Sequence, residues 1–176
     1  GHYDEASGDF AHVLEVRREL FGRSAETAVA IASLVLARSN AMASRGTHSL
    51  AEIEDSLPLL EEGYGMAREF SGEAGGLTAI LRPVLAESYT HLGRLAEAEP
   101  LTEDSVRIAL AHYGDGNLPT AIALRARARL RIAQRRHGEA REDLVQARAV
   151  LERMGDTVNI RSIESLEREL RPRAGG

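Results

Sequence analysis

Small and apolar residues recur along this chain at intervals of three and four, the spacing of one face of an α-helix. The stretch at 138–154 carries such a face at Ala140, Leu144, Ala147, Leu151 and Met154. The stretch at 3–21 repeats it at Ala6, Phe10, Val13 and Leu20. A second type of helical stretch begins with a Thr-Ala pair, at residues 27, 78 and 120. The pattern therefore predicts two alternating kinds of amphipathic helix.

Several independent markers return after the same number of residues. Ala98 and Ala140 lie 42 residues apart, as do the Thr-Ala pairs at 78 and 120. An earlier interval is longer by about eight residues, since the first two Thr-Ala pairs, at 27 and 78, lie 51 apart. A fixed period of this length indicates a repeat protein in which stacked helix pairs cover one another's apolar faces.

Three segments carry a family resemblance: "GRLAEAEPL" (93–101), "YGDGNLPTAIAL" (113–124) and "GHYDEAS" (1–7). With these segments the chain resembles the tetratricopeptide repeat, in the 42-residue variety of kinesin light chains and of large bacterial signalling proteins. The resemblance implies an all-α, right-handed solenoid of antiparallel helix pairs with about eight helices. In each pair, helix A would line the concave surface and helix B would lie behind it.

The repeat register predicts a lone helix B within residues 1–22, followed by three repeats. These are expected at 24–70, with an insertion near 46–56, at 76–113 and at 117–154. A capping helix is expected at 157–170 and a disordered tail at 171–176. Ser24 and Asn117 are expected to cap helix starts. Left-handed glycines are expected to end the helices at Gly22, Gly72, Gly114 and Gly155.

Composition narrows the class of protein. Aromatic residues make up only 4% of the 176 residues and there is no Trp, so the core must be built from Ala, Leu, Ile and Val. The chain has no Cys, which excludes disulfides, thiolate nucleophiles and Cys metal sites. A net charge of −5 argues against nucleic acid as a partner, and no apolar run reaches the roughly 20 residues of a membrane span. We expect a cytoplasmic location. Because the sequence begins without Met, we also expect it to be a piece of a longer protein.

No pattern in the chain predicts catalysis. The six His residues include no pair at i, i+4, and we predict no metal site. The glycine-rich pieces at 72–76 and 114–116 lack the preceding strand and the following Lys-Ser/Thr of a phosphate loop, so no cofactor is expected. Adjacent acidic residues fit a charged helix exterior better than acid/base catalysis. We therefore expect a protein that is not an enzyme.

One helix A, within 124–136, carries six arginines. Helical spacing places Arg125 and Arg129 on one stripe and Arg127 and Arg131 on another. By the resemblance, partners bind along the concave surface. The register carries that surface onto Val29, Leu36, Asn40, Ile80, Glu87, His91, Ile122, Arg125, Arg129 and Ile132.

Guanidinium groups bind carboxylates through two parallel hydrogen bonds, so Arg125 and Arg129 are candidates for binding an acidic peptide. The alternative is that these arginines pair with Glu87 or other acids of the solenoid, or are solvated. The carboxylate clamp of chaperone-binding relatives needs Lys, which this sequence lacks, so that clamp is not expected.

Charge is uneven along the chain, since 52–73 holds seven acidic residues and one Arg whereas the charged residues of 124–136 are all basic. This asymmetry suits intramolecular pairing or head-to-tail self-association, or it reflects solvated faces. Two functions remain. The first is a scaffold that binds a protein or peptide in its concave groove, within a larger bacterial signalling or regulatory protein. The second is a regulatory or oligomerisation segment attached to an enzyme such as a serine/threonine protein kinase.

Overall fold

The computed structural model describes residues 2–45 and 49–171, and these ranges contain eight α-helices and no strand. The helices are α1 (His2–Phe21), α2 (Ala25–Arg45), α3 (Leu50–Ser71), α4 (Gly76–His91), α5 (Leu95–Tyr113), α6 (Leu118–Ala133), α7 (His137–Met154) and α8 (Thr157–Glu169). The predicted all-α solenoid is confirmed. Part of the predicted insertion, 46–48, and most of the predicted tail, 172–176, lie outside the described residues.

Each helix contacts the next helix in the chain, and further contacts join α2 to α4, α4 to α6 and α6 to α8. The helices α2, α4 and α6 therefore lie side by side, and we call them the inner layer. Fully buried alanines, Ala86 of α4 and Ala128 of α6, lie within this layer. Ala98 and Ala140, near the starts of α5 and α7, are equally buried. Such small side chains allow close approach of neighbouring helices.

Two apolar clusters form the core of the described part of the chain. One joins α1 to α4 around Ile31, Leu60, Met66 and Leu81, which are at most 2% exposed. The other joins α5 to α8 around Leu144, Leu151, Ile163 and Leu166, each no more than 1% exposed. The helix predicted as a cap thus contributes two of the most buried residues of the second cluster.

The helix ends follow the glycine pattern. Backbone φ is positive at every predicted position, with values of 56° at Gly22, 74° at Gly72, 77° at Gly114 and 69° at Gly155. Ser24 caps α2, since its Oγ accepts a hydrogen bond from the Thr27 amide at 3.1 Å. The predicted cap at Asn117 is wrong. Its side-chain amide instead donates to the carbonyl of Tyr113, the last residue of α5, and so completes the end of one helix rather than the start of the next.

The contact between α2 and α3 gives a matched pair of glycine substitutions. A Cβ at Gly63 would lie 2.5 Å from Cγ2 of Ile31, whereas a Cβ at Gly65 would meet no atom within 4 Å. Because Ile31 is fully buried and β-branched, it has little freedom to move aside. We expect Gly63→Ala to lower the free energy of unfolding by about 1–3 kcal/mol. Urea denaturation measures this change.

Gly65→Ala is the control, since it introduces the same methyl group into the same helix. Alanine favours helix over glycine by about 0.5–1 kcal/mol, so this variant should be more stable than the parent. Stabilisation by both substitutions would contradict the close contact between Gly63 and Ile31.

Candidate functional site

The structure places the ten predicted groove residues on the three helices of the inner layer. Val29, Leu36 and Asn40 lie on α2, Ile80, Glu87 and His91 on α4, and Ile122, Arg125, Arg129 and Ile132 on α6. Val29 is 53% exposed and the other nine are half-buried. The set therefore occupies one layer of the solenoid, as a shared binding surface requires.

The second arginine stripe of α6 has a structural role. Arg127 donates to both carboxylate oxygens of Asp143, with nitrogen–oxygen distances of 2.8 and 3.1 Å, and Arg131 donates to the same carboxylate at 2.6 Å. Asp143 lies on α7 and is only 1% exposed. Glu103 and Glu139 add outer contacts to Arg127 and Arg131. This stripe therefore joins α6 to α7.

Arg125, on the first stripe, is engaged within the solenoid. Its guanidinium lies 3.0 Å from Oε2 of Glu87 on α4, and both side chains are about 15% exposed. It also donates to Asn159 Oδ1 and Ser162 Oγ of α8, both at 3.2 Å. Arg125 therefore pairs with Glu87, which was the alternative to binding an acidic peptide. These bonds connect α4, α6 and α8.

Arg129, one turn further along α6, differs from Arg125. It forms no hydrogen bond or ion pair within the part of the chain that the structure describes, and its Nε is buried. Burial lowers the pKa of Arg129 because it penalises the charged form; the neighbouring Arg125 lowers it further, and Glu87 and Glu169 partly oppose the shift. Arg129 is thus a half-buried cation without a direct counter-ion among the described residues.

Three buried polar atoms around Arg129 lack hydrogen-bond partners among the described residues. They are the Nε atoms of Arg125 and Arg129, which are donors, and Oε1 of Glu87, which is an acceptor. Buried polar groups in folded proteins are normally hydrogen-bonded. The three such atoms on Glu87, Arg125 and Arg129 therefore mark this part of the inner layer as incompletely satisfied.

No ion pair among the described residues joins the basic segment 124–136 to the acidic segment 52–73. Arg125, Arg127 and Arg131 of α6 pair with carboxylates of α4, α5 and α7. The acidic residues of 52–73 pair with Arg18, Arg23, Arg45, Arg68 and Arg82. Both segments therefore form ion pairs within the chain, but each pairs with other parts of the solenoid.

Sequence reasoning missed the contribution of α8 to this site. Asn159 and Ser162 contact Arg125, and Glu169 lies close enough to influence the pKa of Arg129. Short polar residues on a capping helix are ordinary, so the sequence held no signal for these contacts.

The described ranges lack the geometry of a metal site and of a membrane-spanning helix. Residues 2–45 and 49–171 contain no group of three or more His, Cys, Asp or Glu side chains placed to hold a metal ion. No helix in those ranges is both long and apolar enough to cross a membrane.

The fold is that of an α-helical repeat scaffold with one continuous inner layer, and sequence comparison identifies the kind of repeat. Two tetratricopeptide-repeat models match the chain, over residues 77–153 and 1–24, and together cover more than half of it. No curated protein matches the chain. The chain belongs to the tetratricopeptide repeat family, whose members are in general non-enzymatic scaffolds for protein–protein interactions.

Proposed function

We propose that this protein is a non-enzymatic scaffold that binds an acidic peptide segment of a partner protein along its inner layer. Arg129 is the residue that binds the partner's carboxylate. The observation that carries the proposal is that this side chain is a half-buried positive charge, with a buried Nε and no direct counter-ion in the described residues.

Electrostatics favours an anion at Arg129. A partly buried charge without a partner is costly, and a bound carboxylate offsets that cost with two charge-assisted hydrogen bonds. Arg125 is held in place by Glu87, Asn159 and Ser162, so the surroundings of Arg129 are ordered before a partner arrives. Pre-organisation of this kind reduces the entropy lost on binding.

Apolar side chains of the inner layer suit the rest of such a peptide. Ile122 and Ile132 share α6 with Arg129, and Ile80 lies on the adjacent α4; all three are half-buried. Interfaces of this type combine an apolar centre with a few polar anchors. We therefore infer a binding motif in which an Asp or Glu side chain is flanked by apolar residues.

The test is the variant Arg129→Met, compared with the parent chain in selections from a random peptide library. We expect the parent to enrich peptides containing Asp or Glu and the variant to lose that enrichment. Replacing a partly buried, unpaired charge with an apolar side chain of similar length should leave stability unchanged or raise it by about 1 kcal/mol. Thermal unfolding therefore separates a binding defect from a folding defect.

Arg153→Met is the matched control, since Arg153 is exposed and lies on α7, outside the inner layer. This variant should select the same acidic peptides as the parent. Enrichment of acidic peptides by Arg129→Met at the parental level would overturn the proposal, as would the absence of any acidic preference in the parent.

We also propose the variety of the repeat, its bounds and the kind of protein to which it belongs. The 42-residue interval between Ala98 and Ala140 supports repeats of the kinesin-light-chain-like variety. We propose three such repeats, 24–70, 76–113 and 117–154, with a lone second helix before them and a capping helix after them. The parent would be a larger bacterial signalling or regulatory protein located in the cytoplasm. The net charge of −5 favours a protein partner over nucleic acid.

A further inference from the structure

An apolar face of α1 lies open to solvent. Val13 is 42% exposed, Val16 is 38% exposed and Leu20 is 69% exposed. Their spacing of three and four residues places them on one side of the helix. A stripe of this kind normally packs against another helix.

The internal repeat shows what covers the same face elsewhere. Helices α3, α5 and α7 each follow a helix of the inner layer and form the second helix of a pair. Their residues equivalent to Val16 are Met66, Ile108 and Val150, which are 0, 7 and 3% exposed. Those equivalent to Val13 are Gly63, Ser105 and Ala147, all buried. In α3, the neighbour at this position is Ile31 of α2, the helix that precedes α3. The covered face of a second helix is thus the face toward the first helix of its own pair.

A charged position repeats as well. Counting from Ala6 and Ala140, Asp9 of α1 is equivalent to Asp143 of α7. Asp143 is bound by Arg127 and Arg131, which lie four residues apart on the preceding helix α6. Asp9 is exposed and forms no hydrogen bond or ion pair in the described ranges. The equivalent positions in α3 and α5 are Leu59 and Leu101, so the match is specific to α7.

We infer that this face of α1 is a docking site for an amphipathic helix of the α6 type. The docked helix would place small apolar side chains against Val13 and Val16 and two arginines, four residues apart, opposite Asp9. This inference concerns a different surface from the inner layer and does not depend on the proposed function. Helix α8 of a second copy does not fit the site, because Ile163 and Leu166 are already buried and α8 has no arginines four apart.

The experiment grafts α6 onto the start of the chain. Residues 117–136 are fused directly to Tyr3 in place of residues 1–2, which reproduces the spacing between α6 and α7. We expect the graft to raise Tm by about 5 °C or more, because it covers Val13 and Val16. The grafted segment should also be protected from hydrogen exchange.

Asp9→Asn tests the ionic part of the inference. It should lower the Tm of the grafted chain by several degrees and leave the Tm of the parent chain nearly unchanged, since Asp9 has no ion pair to lose there. A second graft, of residues 75–94, supplies the equivalent α4 segment, which has Leu85 and Tyr89 where α6 has its two arginines. This graft should stabilise the chain less, and its Tm should not respond to Asp9→Asn.

Three results would overturn the inference. The first is rapid hydrogen exchange in both grafted segments without a gain in Tm. The second is an equal response to Asp9→Asn in the parent and the α6 graft. The third is a parent dimer, seen by light scattering, that the α6 graft converts to a monomer, because a second copy would then be the occupant of the face.

Discussion

Asp143→Ala is expected to lower the free energy of unfolding by about 3–5 kcal/mol, the cost of removing one partner from a buried ionic cluster. Asp143 is 1% exposed and its carboxylate accepts hydrogen bonds from both Arg127 and Arg131. Without it, two largely buried guanidinium groups keep only their outer contacts to Glu103 and Glu139. Urea denaturation monitored by circular dichroism measures the loss.

Asp104→Ala is the matched control. Asp104 also pairs with an arginine, Arg107, but the pair lies on the exposed side of α5 with side chains 53% and 68% exposed. Solvent-exposed pairs contribute at most about 1 kcal/mol, so this variant should unfold near the parental midpoint. Similar losses in the two variants would contradict the assignment of Asp143 as the residue that joins α6 to α7.

Arg82→Ala is the second substitution with a large expected effect, a loss of about 2–4 kcal/mol. Arg82 is 1% exposed, although it belongs to the residue types that are least often buried. Its guanidinium donates to the Tyr64 hydroxyl at 3.1 Å, to the Glu73 carbonyl at 3.0 Å and to the Glu73 carboxylate. The side chain thus connects α4 to α3 and to the turn between them, and its removal leaves a cavity.

Arg68→Ala provides the comparison, because Arg68 binds the same carboxylate of Glu73 but is 51% exposed. We expect its loss to change the free energy of unfolding by less than about 1 kcal/mol. Differential scanning calorimetry of the two variants would reveal the difference. If Arg68→Ala were the more destabilising, the stability of this turn would depend on the surface ion pair rather than on the buried arginine.

The fold was predictable from the sequence because helix periodicity and chain-reversing glycines are local signals. Gly22, Gly72, Gly114 and Gly155 all have positive φ, although at Gly72 and Gly114 ψ is near 180° and the backbone is extended rather than left-handed helical. The turns inside the pairs were harder to predict. Gly93 and Arg135 lie 42 residues apart and have φ values of 72° and 63°, but one is an arginine, which gives no sign of a left-handed residue.

The site was only partly predictable. Helical spacing separates Arg125 and Arg129 from Arg127 and Arg131, since it fixes the direction of each side chain around α6. Helical spacing does not determine which residues of other helices face these arginines. The pairing of Arg127 and Arg131 with Asp143, and the contacts of Arg125 to Asn159 and Ser162, depend on how α7 and α8 pack against α6.

We propose that a partner's acidic segment binds the inner layer at Arg129, and an NMR titration observes that contact at the residue itself. The probe is the acidic peptide most enriched in the library selection, titrated into ¹⁵N-labelled protein, with the Arg129 Nε–Hε signal assigned by its loss in Arg129→Met. We expect this signal to shift strongly, together with backbone amides of α2, α4 and α6. An unchanged Arg129 signal, with shifts confined to α3, α5 and α7, would contradict it.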